Sequence, residues 1–282
     1  MRHASAASTA AGSTLAALTV LGASTMITIA SDTSAATTSM GVKIVCPFDA
    51  VAVPAGAFPI GTRAMQDYDD DERPRHTVQL THAYCLDRTE VTVVAYGRCV
   101  AAGKCVARKA AFAGEDMPMT NVSWSDARAA CWFRGGRLPT EVEWEHAARG
   151  TDDRLYPWGS WRPQCMYADA MYEMWGHCNG YGPSPVGSFP SGASPYGALD
   201  LAGNVLEWVD DAWSDDAWKR LGTVDPRDDD PKAPHHVVRG GGWEWDVVHS
   251  LRVSDRDGYP TTLRDATLGF RCAYDVSSSP PP

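Results

Sequence analysis

The residues with the most chemistry in this sequence are eight cysteines: Cys46, Cys85, Cys99, Cys105, Cys131, Cys165, Cys178 and Cys272. Their number is even and no Cys-x-x-Cys pair occurs, so they read as a disulfide framework rather than a zinc site. A second constellation lies at Trp243-Glu244-Trp245, followed by Asp246, His249, Ser250 and Asp255, with His235-His236 upstream. An iron facial triad needs two histidines and a carboxylate converging on one point. Asp246 and His249 are three apart, which suits a helical turn but not a strand, and His235 and His236 face opposite ways if extended. These polar residues therefore read as an exposed loop. Nor do Ser250, His249 and Asp246 make a hydrolase. No nucleophile elbow surrounds the serine, and an adjacent Ser and His do not face each other.

Carboxylates form runs at Asp69-Asp70-Asp71-Glu72, Asp210-Asp211, Asp215-Asp216 and Asp228-Asp229-Asp230. They read as solvated loops. The net charge of −10 excludes a nucleic-acid binder, whose phosphate contacts need a basic face. A hydrophobic share of 44% and 282 residues suffice to bury a substantial core.

These residues need elements to hold them. Residues 1–36 read as a signal peptide or, if uncleaved, an N-terminal anchor: Arg2 and His3 precede an uncharged stretch, and Ser34-Ala35-Ala36 is a small-residue cleavage candidate. No other apolar run could span a bilayer. A linker follows at 37–43, a domain at 44–275 and a Ser/Pro tail at 276–282. The expected location is secreted, periplasmic or cell-surface. Val51–Phe58 reads as a strand and turn, and Thr77–Leu80, Val237–Arg239 and Leu268–Cys272 as strands. Thr92 caps a helix that Gly103 stops, and Ser123 caps one reaching Phe133. Thr140-Glu141-Val142-Glu143 is a capping box for a helix ending at Gly150. Beyond 150 the chain is loop-rich and needs pinning.

Several segments, taken together and in order, resemble the formylglycine-generating enzyme (sulfatase-modifying factor) family. They are Gly56-Ala57-Phe58, Glu72-Arg73-Pro74, Asp87–Thr92, Asn121–Trp124, GGRLPTEVEWEHAARG from Gly135, YGALDLAGNVLEWVDD from Tyr196, VRGGGW at Val238–Trp243 and LGFRCA at Leu268–Ala273. The resemblance implies an irregular, loop-rich α+β fold of C-type-lectin-like kind, with small twisted sheets and few short helices. It also implies a Cys131–Cys272 bridge. Cys99 and Cys105 flank a helix end and a glycine turn, which suits a local bridge. Cys165–Cys178 would close the mid-chain loop, and Cys46–Cys85 is the remaining pair.

By the same resemblance, calcium would be held by Asp200 and Glu207 side chains with Gly203 and Val205 carbonyls, Asn204 bonding the loop instead. Such a mixed oxygen set suits that ion. A second calcium would use Asp169, Asn179 and Tyr181. Family oxidases bind copper through two cysteines after the RGG motif. Here Trp245 and Ser250 stand at those positions, so copper is not expected and iron has no recognisable ligand set. The expected function is a secreted, non-catalytic domain binding a peptide, protein or glycan in the former substrate groove, lined by Trp245, Asp246, His249 and Ser250. The alternative is a divergent metal- and oxygen-dependent oxidoreductase, using non-haem iron.

Overall fold

Two capping boxes set the register of the helical half. Ser123 accepts from the Asp126 amide and Thr140 from the Glu143 amide, while each acid reaches back to the cap residue's own N–H. The computed structural model describes residues 44–62, 70–172, 176–230, 232–244 and 250–276. The strands are β1 (Ala50–Val53), β2 (Gly56–Ile60), β3 (His76–Leu80), β4 (Tyr84–Asp87), β5 (Met171–Tyr172), β6 (Gly176–His177), β7 (Leu206–Ala212), β8 (His235–Arg239), β9 (Arg256–Pro260), β10 (Leu268–Phe270) and β11 (Ala273–Asp275). The helices are α1 (Val93–Ala101), α2 (Trp124–Phe133), α3 (Glu141–Arg149) and the single turn α4 (Ala217–Arg220). This is the expected α+β architecture of small sheets, short helices and ordered loops.

The largest sheet has the order β10-β7-β8-β9, with β10 parallel to β7 and the other pairs antiparallel. A three-stranded sheet, β1-β4-β11, lies in the same unit, and β2 pairs with β3. One apolar core gathers Phe58, Ile60, Leu86, Trp144, Val209 and Val237, and a second gathers Val122, Trp124, Trp208, Phe270 and the Cys131–Cys272 bridge. Four disulfides pin the chain: Cys46–Cys85, Cys99–Cys105, Cys131–Cys272 and Cys165–Cys178. They are the pairs set out above, and they leave no cysteine free. Bridges of this number belong to an oxidising, non-cytosolic environment.

One acid run, Asp210-Asp211, and one residue of another, Glu72, are not solvated. Asp210 and Asp211 lie on β7, all of whose residues are buried. Asp211 accepts from the amides of Glu141, at the start of α3, and Asp228. Glu72 is fully buried and pairs with Arg252. The error has one cause: long-range cation and amide partners offset the cost of burying these carboxylates, and no local pattern announces them. Helix α3 makes the same point, since all nine of its residues are buried. Its Glu145 is neutralised by Arg149 and Arg239, and its Glu141 by Arg256.

Candidate functional site

The loop entering β7 has an unusual backbone. Asp200 and Asn204 adopt φ of 57° and 63°, and Gly203 one of 82°. Only glycine fits at 203, because a Cβ there would stand 2.3 Å from the Asp169 carbonyl oxygen. The loop is tied to the segment after β8: Gly203 N–H donates to the Gly240 carbonyl (2.7 Å) and Trp243 N–H to that of Asn204 (2.9 Å). Asn204 is a clamp. Its side-chain oxygen accepts from the Ser184 amide (2.9 Å), its amide nitrogen donates to Glu90 (2.8 Å), and its backbone N–H donates to Asp169 O (2.8 Å).

Under this loop lie three buried carboxylates and one guanidinium. Arg271 grips Glu207 with two bonds, of 2.7 and 2.6 Å, and Trp144 Nε1 donates to the same carboxylate at 2.8 Å. Asp200 accepts the Gly187 amide at 2.6 Å. The second oxygen of Glu90 is buried without a partner. Burial raises the pKa of all three acids. Repulsion from Asp200 adds to it at Glu90, and Arg271 opposes it at Glu90 and Glu207. One cation for three carboxylates leaves a surplus of negative charge that protons or a bound cation would offset. As a calcium set the residues fit in part: Asp200 faces the surplus charge, whereas Glu207 would have to share its carboxylate with Arg271. Of the second set, Asp169 is buried, with one oxygen accepting from Ser184 Oγ at 2.5 Å and the other unpartnered. Asn179 and Tyr181 are exposed.

Above the clamp is an aromatic patch. Trp243 packs edge-on to Phe112 (5.9 Å between centroids) and tilted against His177 (5.6 Å), which in turn meets Tyr181 at 4.8 Å. Tyr181 is 87% exposed and Trp243 only partly buried. Phe112 and His177 are 65 residues apart in sequence and had no local signal pointing to this place. Ser250 is buried behind Gly241, whose α-carbon has no room for a side chain against the Ser250 carbonyl. Trp245, Asp246 and His249 lie outside the described residues. His235 and His236 do not converge with Asp255: they sit at one end of the β8–β9 ladder, and Arg256, next to Asp255, is at the other. His236 stacks on Trp124 at 3.9 Å, and burial drives its pKa down to about 4. Among the described residues no group of three or more His, Cys, Asp or Glu side chains is placed to hold a metal.

Residues 43–276 match the family model described as the sulfatase-modifying factor enzyme 1-like domain. The chain belongs to this family. It is 35% identical to the inactive C-alpha-formylglycine-generating enzyme 2 of Bos taurus over 58% of this chain and 52% of that one. It is 34% identical to the hercynine oxygenase of Mycobacterium tuberculosis, covering 57% of this chain and 37% of the other. The chain thus spans about half the length or less of these curated relatives. PvdO from Pseudomonas aeruginosa superposes with a TM-score of 0.68 at 25% identity, over 86% of this chain and 98% of that structure. Family membership and fold therefore stand together on sequence and on structure.

Proposed function

We propose that this is a secreted, non-catalytic member of the sulfatase-modifying factor family that binds a peptide, protein or glycan in the groove beside Trp243. One observation carries the reading: every cysteine is consumed by a disulfide, so no thiolate pair remains to hold copper(I), the soft ion that sulfur ligands suit. The similarity to an inactive family member is consistent with it. Half-exposed aromatic rings beside the acid Glu244 suit a ligand with one apolar and one polar side. The test is turnover. The purified protein, given copper or iron, oxygen and a peptide bearing an unpaired cysteine, is expected to form no aldehyde and consume no oxygen. Aldehyde trapped by a hydrazine probe, with a stoichiometric metal by mass spectrometry, would overturn the reading. It would favour the second one, a divergent metal- and oxygen-dependent oxidoreductase, for which the similarity to a hercynine oxygenase speaks.

The proposal includes a structural calcium at Asp200, Gly203, Val205 and Glu207, supported by the surplus charge of the buried cluster and the unpartnered Glu90 oxygen. Calcium at a hundredfold excess over its Kd adds about 2.7 kcal/mol to stability, a rise of roughly 5–10 °C in Tm for a domain of this size. The shift should vanish in Asp200→Asn. Equal melting in calcium and in chelator would remove the ion from the account.

A further inference from the structure

A second concavity lies on the outer face of α2 and shares no residue with the Trp243 patch. Its volume is about 790 Å³. Ser125, Arg128 and Trp132, three and four residues apart, fall on one helical stripe that lines it. The opposite stripe of α2, with Ala127, Ala130 and Cys131, is buried. Trp132 is 80% exposed and Phe133 38% exposed. Both side chains line the concavity.

The charge of this groove runs against that of the protein. The net charge is −10, yet the lining holds Lys104, Arg128, Arg137 and Arg227 against the single carboxylate Asp210. Arg227 is spent on Asp210, and Arg137 on Glu143 and Asp275. Lys104 and Arg128 have no carboxylate partner among the described residues. Arg128 instead lies over the Trp124 ring, 5.1 Å from its centroid. That ring is fixed from below by His236 and by its own N–H bond to the Val209 carbonyl (2.9 Å). The groove thus has an aromatic floor, with two cations at its rim that meet no carboxylate among the described residues.

We propose that this groove is a docking site for an acidic peptide segment of a partner protein, a site separate from the family's substrate groove and independent of the reading given above. Tryptophan, phenylalanine and arginine are the side chains that protein interfaces concentrate and that dominate their binding energy. The lining offers no Asn, Gln or Glu to hydrogen-bond sugar hydroxyls, and its one carboxylate is already taken by arginine. An extended chain that alternates carboxylates with apolar side chains satisfies both the cations and the rings.

The test uses the full chain and a short fluorescein-labelled peptide alternating Glu with Leu and Phe, read by anisotropy. Binding is expected, weakening as salt is raised. Trp132→Ala and Arg128→Glu should each weaken it by about tenfold, the loss expected of an interface anchor. Lys104→Glu should weaken it less. All three positions are exposed, so Tm should hold and a folding defect is separable by thermal melting. A sequence-matched peptide with Lys for Glu should not bind. The proposal is overturned by no binding of the acidic peptide, by binding that the Trp132 and Arg128 variants leave intact, or by preference for a sulfated glycan or anionic vesicles of equal charge.

Discussion

Replacing Cys131 and Cys272 together with alanine is expected to destabilise the protein by about 5 kcal/mol, against roughly 2–2.5 for the same change at Cys99 and Cys105, both from the loop-closure entropy of the unfolded chain. The difference lies in sequence separation, 141 residues for the first bridge and 6 for the second. Location works in the same direction. Both sulfurs of the long bridge are fully buried, joining α2 to the segment between β10 and β11. The short bridge closes a turn beyond α1, with Cys105 partly exposed. At about 2–4 °C per kcal/mol for a domain of this size, the first double variant should melt roughly 10–20 °C below the parent and the second about 5–10 °C below. Thermal melting under non-reducing conditions reads this directly. If the two variants melt together, or in the reverse order, loop closure is not what the long bridge contributes.

Local chemistry was legible in the sequence, and distant partnership was not. The caps at Thr92, Ser123 and Thr140 gave the three long helices to within a residue, because an N-cap, with or without the reciprocal capping box, is complete within four residues. Strands β1, β3, β8 and β10 were visible as short strand-like runs, whereas the end of Val51–Phe58, read as a turn, forms β2. Strand β7 was not. Its Asp210 and Asp211 read as solvent-facing, yet they are buried against α3 and the loop at 227–228, whose donors come from other parts of the chain. The site divides in the same way. The loop from Asp200 to Glu207 stood out as a motif, but Glu90 and Arg271, which set its charge, come from 110 residues before and 71 after Asp200. Phe112 and His177 meet Trp243 only through the fold. Spacing can show that a loop is unusual; it does not show which distant ion balances it.

Arg271→Met is expected to cost about 3–5 kcal/mol at neutral pH, the usual result of stranding a buried charge. Arg271 is fully buried and holds more than Glu207: it also donates to the backbone carbonyls of Asp87, Arg88 and Leu199. Methionine fills much of the volume but leaves all of these acceptors bare. Lysine keeps the charge and loses the paired fork, so Arg271→Lys should fall between. The pH dependence separates charge from packing. Burial already raises the pKa of Glu90, Asp200 and Glu207 with the arginine present, and removing it raises them further. A carboxyl whose folded pKa lies above its unfolded one contributes stability below the unfolded range and loses it as pH rises through the folded value. The variant should therefore recover part of its lost stability on going from about pH 8 to about pH 5. The parent has an opposing trend at Asp126. Burial pushes that acid up, but bonds from Arg108 and Ser123 outweigh it and hold its pKa below the ordinary value, so its contribution is lost on acidification. Both proteins carry Asp126, so the difference between their stability curves isolates the cluster. Denaturant melts of the two across that range should converge toward acid. If the gap stays constant with pH, the loss is one of packing, and the three carboxylates are balanced by something other than Arg271.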